Sequence, residues 1–156
     1  MEERAEDRTP AAAEKAEIIK PGRPAIIGPQ PPEAAAVFDA KAAEVGAPIF
    51  LANREWKAWR EADGRLGYES AKGKRLLPKP GLLGDYQYPN AGTAIAVLEA
   101  CPQIKVPDAA IAEGLGSVRW PARLQRLSKG PLVSALPPGW AIWRSEEHTS
   151  ELQSQS

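Results

Sequence analysis

Pro24-Ala-Ile-Ile-Gly28 and Pro48-Ile-Phe-Leu-Ala52 are short apolar runs bounded by proline and glycine or placed between polar segments, which is typical of buried strands. Between them, Pro31-Pro32-Glu33 places proline in the first turn of a helix, and Gly46 is suited to end it. The apolar face of this helix comprises Ala36, Val37, Ala40, Ala43 and Val45. A strand, a helix and a strand within about 30 residues form a βαβ unit with parallel strands and a right-handed crossover. These residues therefore predict an α/β fold.

After Asn53, the spacing of apolar residues along the sequence changes. Apolar and polar residues alternate on both sides of Asp63-Gly64, which predicts a β-hairpin that turns at this pair. Residues 70–82 then have the composition of an exposed connection. They include a basic cluster that we interpret as a solvated surface in preference to a phosphate site, with the members Lys72, Lys74, Arg75 and Lys79.

The remaining elements are predicted from breakers and periodicity. An alanine-rich helix from Ala11 to Lys20 is stopped by Pro21-Gly22. A second helix begins at Pro89-Asn90 and runs towards Cys101, and a third begins at Pro107-Asp108 and ends at glycine. Two further segments are predicted as strands that start a new unit, Pro131–Ala135 and Trp140–Trp143.

The composition narrows the classes of function. The chain has 156 residues, with 20 basic and 20 acidic side chains, one histidine and one cysteine. One cysteine cannot form a disulfide framework, and a single histidine and cysteine argue against a zinc site or a Cys/His nucleophile. The balanced charge argues against binding to nucleic acid or to a membrane surface. No apolar run approaches the ~20 residues that a membrane-spanning helix needs.

The C-terminal residues do not resemble a natural protein end. Arg144–Ser154 matches the translation of a common DNA-sequencing adapter over eleven consecutive residues. We therefore exclude residues 144–156, including the only histidine, from the interpretation of fold and function. We expect the reading frame to have been cut, so that both ends of a parent protein are missing.

Motifs for nucleotide binding are not found in the sequence. It contains no Gly-x-x-x-x-Gly-Lys-[Ser/Thr], and no Gly-x-Gly-x-x-Gly follows a predicted strand. Without the excluded histidine, no Ser/His/Asp arrangement can be built. The residues alone indicate only part of an α/β protein.

Three blocks in the same order resemble a known family. They are Glu14-Lys-Ala-Glu-Ile-Ile-Lys-Pro-Gly22, Leu83-Gly-Asp-Tyr-Gln-Tyr-Pro-Asn-Ala-Gly-Thr-Ala-Ile-Ala96 and Trp120-Pro-Ala-Arg-Leu-Gln125. They resemble the dihydrofolate synthase/folylpolyglutamate synthase family of the Mur ligase superfamily, over about residues 8–143. Glu17 stands where the family has glycine.

The resemblance implies an architecture. Residues 1–118 would be the end of the central ATPase domain, with a parallel sheet, flanking helices and a hairpin. Residues 119–143 would be the linker and the first strands of the α/β C-terminal domain, and residues 144–156 the artefactual tail. The phosphate-binding loop would lie upstream, and an Asp-Gly-x-His-Asn block just after Trp143.

The family reaction is the ATP-dependent formation of an amide. A pteroate or folate carboxylate is phosphorylated to an acyl phosphate, which the amino group of L-glutamate attacks. Mg²⁺ and positive groups relieve the repulsion between the anions. The resemblance thus implies ATP and Mg²⁺ as cofactors, dihydropteroate or folate and L-glutamate as partners, a cytoplasmic monomer, and no nucleic acid or membrane.

The resemblance also implies three site residues. Lys15 corresponds to a lysine that is carbamylated and binds Mg²⁺ through oxygen; its alternative is a solvated helix lysine. Asn90 corresponds to an asparagine that contacts ATP, and it could also be a helix N-cap. Arg123 corresponds to an arginine that reaches ATP phosphate, and its alternative is a surface salt bridge. We interpret Trp120 and Gln125 as packing residues.

We expect the chain alone to be catalytically inactive, because the blocks expected on either side are missing. Two alternatives stay open. One is another Mur-type ligase, which acts on a cell-wall precursor. The other is an α/β binding module without catalysis.

Overall fold

A computed structural model describes residues 8–121 and 125–144, and the predicted site residue Arg123 lies outside these ranges. Twelve elements follow one another along the described residues: α1 (Arg8–Ala16), β1 (Ala25–Ile27), α2 (Pro32–Val45), β2 (Ile49–Leu51), β3 (Trp56–Arg60), β4 (Leu66–Ser70), β5 (Gly73–Leu77), α3 (Gln87–Ala100), α4 (Asp108–Ser117), β6 (Gln125–Leu127), α5 (Pro131–Ser134) and β7 (Ile142–Arg144).

The predicted βαβ unit is confirmed, but the predicted apolar face of its helix is wrong in part. Ala36, Ala40 and Ala43 are exposed, and the buried residues are Ala34, Phe38 and Ala42. β1 and β2 are parallel, with Ala25 opposite Ile49, and α2 connects them. Proline lies in the first turn of α2, where a missing N–H costs nothing. Gly46 ends the helix at φ 64°, and its N–H is directed to the carbonyls of the last turn. A left-handed residue at this position favours glycine, which explains why the helix ends there.

The two faces of the β1–β2 sheet pack against two different hydrophobic clusters. Ala25, Ile27 and Ile49 contact a cluster that we call the alanine cluster, made of Ala12, Ala16, Ile19, Ala34 and Phe38. Ile26 and Phe50 contact a cluster that we call the aromatic cluster, made of Trp56, Leu66, Tyr68, Leu77, Tyr88, Ala91, Ile95 and Ala96. Successive side chains of a strand point to opposite faces, so both faces of this parallel pair are covered, as such sheets require.

The predicted hairpin is confirmed, but it extends into a three-stranded sheet. β3 pairs with β4 in antiparallel register, and Asp63 Oδ1 accepts the N–H of Arg65 in the turn at 3.0 Å. The expectation that residues 70–82 are an exposed connection is wrong for β5, which pairs with β4. Gly73, at φ 109°, permits the tight turn between these strands.

Other predicted boundaries also need correction. The helix predicted from Ala11 to Lys20 ends at Ala16, and three successive turn hydrogen bonds donated by residues 17 to 19 follow. The strand predicted at Pro131–Ala135 is wrong, because Pro131–Ser134 forms the short helix α5. Gly130, at φ 114°, precedes a proline at the first helical position, and the N–H of Ser134 bonds to the carbonyl of Gly130. Local turn chemistry thus outweighs the apolar run.

The C-terminal described segment, residues 125–144, contains an antiparallel pair. Residues 125 to 127 of β6 face residues 142 to 144 of β7, so the strand predicted at Trp140–Trp143 is confirmed in part. Residues 145–156 of the proposed tail lie outside the described residues. Among the described helices, none is both long enough and apolar enough to cross a membrane.

Candidate functional site

An open cleft of about 610 Å³ lies between α3 and α4. Its walls are mostly aliphatic, and Val118 and Trp120 of the following segment also line it. Two polar side chains, Gln87 and Asn90, line it from the first turn of α3. The remaining lining residues are Pro80, Leu82, Ala91, Ala94, Ile95, Leu98, Val106, Ala110, Ile111, Gly114 and Leu115. An apolar concavity with few convergent polar groups is the usual form of a small-molecule site.

Asn90 is exposed at this cleft. Its Nδ2 donates a hydrogen bond to Oε1 of the buried Gln87 at 3.3 Å. The alternative of a helix N-cap is wrong, because α3 begins at Gln87 and its N-cap is Tyr86. The helix starts early since the N–H of Gln87 bonds to the carbonyl of Gly84 in the preceding turn. The Asn90 amide is therefore held at the cleft by one neighbour of the same block.

The first turns of α3 lie beside the carboxyl end of β1. A Cβ atom added to Gly28, the residue after β1, would be 3.4 Å from Oγ1 of Thr93. Thr93 in turn donates to the carbonyl of Pro89 at 2.9 Å. In α/β sheets, ligands bind outside the carboxyl ends of the strands. The helix that carries Gln87 and Asn90 thus begins near the edge where this class of fold places its ligands.

Lys15 is exposed in the last turn of α1. Glu17, two residues later, forms a 2.9 Å ion pair with Lys41 of α2, and this hydrogen bond raises the pKa of Lys41. α1 packs on α2, whereas α3 packs on β3 and β1, so these contacts do not bring Lys15 and Asn90 together. In residues 8–121 and 125–144, no three His, Cys, Asp or Glu side chains form a group that could hold a metal.

Three of the four residues of the predicted basic cluster have partners within the fold. Lys72 donates to the carbonyl of Glu99 at 3.1 Å, and Lys74 lies 5.1 Å from the centre of the Trp59 ring. Arg75 pairs with Glu99 and, at 3.3 Å, with Asp108. These contacts favour a structural role over a phosphate site. Trp120 is 59% exposed and lines the cleft, rather than packing in a core.

A polar network that the sequence did not reveal joins the sheet to α3. Tyr68 of β4 donates to Glu99 at 2.9 Å, and the Arg75 guanidinium lies 5.0 Å from the centre of the Tyr68 ring. Burial, followed by the hydrogen bond to Glu99, raises the pKa of Tyr68 above its usual range. Glu99 is 31 residues from Tyr68, so no local pattern could have indicated this hydrogen bond.

The geometry defines the class of protein: an α/β fold with a ligand-sized cleft between two of its helices. No family model matches the chain. A folylpolyglutamate synthase from Lacticaseibacillus casei is 36% identical over 132 residues, covering 80% of this chain and 31% of that protein. The dihydrofolate synthase/folylpolyglutamate synthase of Escherichia coli K12 is 34% identical over 128 residues, covering 81% of this chain and 28% of that protein.

A similarity in fold to a solved structure supports the same family. The bifunctional folylpolyglutamate synthase/dihydrofolate synthase of Yersinia pestis, complexed with AMPPNP and a Mn ion, superimposes with a TM-score of 0.67 at 29% identity. The match covers 83% of this chain and 30% of that one. The chain is therefore a homologue of one segment of the dihydrofolate synthase/folylpolyglutamate synthase family, as the three blocks predicted. It spans less than a third of the length of the curated relatives it matches.

Proposed function

We propose that the chain is a segment of an ATP-dependent ligase that joins L-glutamate to dihydropteroate or folate through an amide bond. The observation that carries the proposal is that Asn90 and Gln87 line an apolar cleft from the first turn of α3, a helix that also approaches the residue after β1. The names of the two curated relatives support a folate substrate rather than a cell-wall precursor. They also support an enzyme rather than a binding module.

The cleft suits the base of ATP. Its aliphatic walls can exclude water from both faces of a flat heterocycle, and an amide can both donate to and accept from the polar edge of a base. Asn90 is the residue that we assign to this contact. Arg123 follows Trp120 by three positions in the sequence. We assign to it the contact with phosphate, for which a planar and permanently charged guanidinium is suited.

The described residues offer few ligands for a magnesium ion. An unmodified lysine ammonium cannot ligate Mg²⁺, which takes oxygen ligands, whereas a lysine carbamate presents a carboxylate-like oxygen. The exposed amine of Lys15 is accessible for that modification. However, the described residues offer no cluster of acidic ligands to complete the coordination. We therefore assign to Lys15 the contribution of one ligand, and the described part of the chain does not by itself form a magnesium site.

We further propose domain boundaries for the chain, and a localisation and an oligomeric state for its parent enzyme. Residues 1–118 belong to the end of the ATP-binding domain, and residues 119–143 to the linker and the start of the glutamate-ligase domain. The parent enzyme is a cytoplasmic monomer that binds neither nucleic acid nor membrane. The chain alone is inactive, because it spans so small a part of its relatives.

Two measurements of ADP release test this function. The purified 156-residue chain, given ATP, Mg²⁺, dihydropteroate and L-glutamate, is expected to release no ADP above background. A chimera in which residues 8–121 replace the matching segment of the Escherichia coli relative is expected to release ADP over repeated turnovers only when both dihydropteroate and L-glutamate are present. The control is the same exchange made with the Lacticaseibacillus casei segment. Activity of the control and none of the chimera would contradict the proposal.

A further inference from the structure

α4 is the least buried wall of the cleft. None of its residues is buried, whereas six residues of α3 are. Ile111, Ala112 and Leu115 are only partly buried where they pack against the aromatic cluster. Little apolar contact therefore fixes this helix, and its position depends on specific bonds at its ends.

The two ends of α4 are held by the same segment of chain, β5 and the residues that follow it. At the C-terminal end, the N–H of Gly81 bonds to the carbonyl of Leu115 at 2.8 Å. The approach is so close that a Cβ on Gly81 would lie 2.5 Å from the carbonyl oxygen of Gly116. At the N-terminal end, Nη1 of Arg75 lies 3.3 Å from Oδ1 of Asp108, the first residue of the helix.

Arg75 also bonds to the other wall of the cleft. Its Nη2 pairs with Oε1 of Glu99, in the last turn of α3, and its guanidinium stacks on the ring of Tyr68. The side chain of Arg75 is 22% exposed and that of Glu99 is 14% exposed, so this half of the network is shielded from solvent. One guanidinium thus connects both helices that line the cleft to the three-stranded sheet.

We propose that Arg75 is a positioning residue that sets the distance between α3 and α4, and through it the affinity of the cleft for nucleotide. The Glu99 pair fixes the guanidinium, and its Nη1 holds the N-terminus of α4 through Asp108. Gly81 serves as the fixed point at the other end. Without the bond to Asp108, the first turns of α4 open more often and move away from α3, while Gly81 still holds the other end of the helix, so the cleft widens. The effect on affinity rests on the function proposed above, while the effect on α4 does not.

Hydrogen exchange of the α4 amides in the full 156-residue chain tests the positioning directly. Asp108→Ala and Arg75→Gln are each expected to accelerate exchange of residues 112–117, by up to about fivefold for an exposed ion pair. Glu113→Ala removes an acidic side chain from the same helix and is the matched control, with exchange expected to stay as in the wild type. Exchange in β3 and β4 is expected to be unchanged by Asp108→Ala.

Combining Arg75→Gln with Asp108→Ala separates the bond between these two residues from the interaction of Asp108 with the helix dipole. If the bond holds α4, Asp108→Ala adds nothing to the exchange rate once Arg75→Gln is present. If Asp108→Ala accelerates exchange equally in both backgrounds, or in neither, the inference is wrong.

ATP binding to the same variants then distinguishes the two proposals. Asp108→Ala is expected to weaken binding up to about fivefold, and Glu113→Ala to leave it unchanged. Faster exchange of α4 with unchanged ATP affinity would overturn the link between the helix and the site. Faster exchange together with a wild-type chain that binds no ATP would instead contradict the proposed nucleotide function and leave the attachment of α4 supported.

Discussion

The two hydrophobic clusters on either side of the β1–β2 sheet are built in different ways. Alanines supply three of the five buried residues of the alanine cluster, where α1 packs on α2. The aromatic cluster places Trp56, Tyr68 and Tyr88 between the three-stranded sheet and α3. Small side chains let two helices approach closely, whereas the wider gap between a sheet and a helix must be filled by large ones.

The comparison explains which changes each cluster can tolerate. In the aromatic cluster, a few large buried side chains supply most of the stabilisation, so truncating one of them leaves a cavity. In the alanine cluster, the stabilisation depends on close contact between helices, so enlargement is the more damaging change. The segment 125–144 provides a third case, because none of its described residues is buried. Substitutions there are expected to have little effect on stability.

The largest expected effect is that of Leu66→Ala in the aromatic cluster. Leu66 is 0% exposed, and its truncation is expected to lower the free energy of unfolding by about 2–5 kcal/mol, since a cavity remains. Leu132→Ala, at a residue that is 71% exposed, is the matched control and is expected to change it by less than about 0.5 kcal/mol. Urea unfolding measures both, and equal effects would contradict the assignment of the core.

A smaller loss of stability is expected from Gly92→Ala at the contact of α3 with β3. The added Cβ would lie 2.3 Å from Cβ of Ala58, so the change is expected to cost about 1–3 kcal/mol despite the better helix propensity of alanine. Gly114→Ala in α4 meets no atom within 4 Å and is expected to stabilise the chain by about 0.5–1 kcal/mol. Thermal unfolding of both variants checks the opposite signs; a stabilising Gly92→Ala would refute the close contact.

In the alanine cluster, Ala34→Val tests close packing by enlargement. Ala34 of α2 is 3% exposed and belongs to this cluster, and the extra methyl groups are expected to cost about 1–3 kcal/mol. Ala43→Val, on the exposed side of the same helix, carries only the propensity difference of about 0.5 kcal/mol. If the two variants unfold at the same urea concentration, α1 and α2 are not closely packed.

Much of the fold could be predicted because its signals are local. Proline at the start of α2 and glycine at its end fixed the helix, and Asp63-Gly64 indicated the turn between β3 and β4. β5 was missed because its inward-facing residues include Arg75, which a pattern of apolar alternation does not anticipate. α5 was missed because an apolar run of this length is compatible with either a strand or a helix.

The candidate site was predictable only in part. Asn90 was found because it belongs to a recognisable block, and the structure places it at the cleft. Its role, like those of Lys15 and Arg123, stays a prediction. Gln87 was not singled out, although it belongs to the same block. The bonds of Arg75 to Glu99 and Asp108 depend on how β5 lies against two helices. Because Glu99 and Asp108 are 24 and 33 residues from Arg75, no local sequence pattern predicts these bonds.

Binding of ATP to the 156-residue chain, measured by calorimetry with Asn90→Ala and the control Gln103→Ala, tests the central claim most directly. Gln103 is an exposed amide in the connection between α3 and α4 and does not line the cleft. The account predicts that the wild type and Gln103→Ala bind ATP with the same Kd, and that Asn90→Ala binds about two- to tenfold more weakly, the cost of one lost hydrogen bond. Equal affinities of all three proteins, or no binding by the wild type, would contradict it.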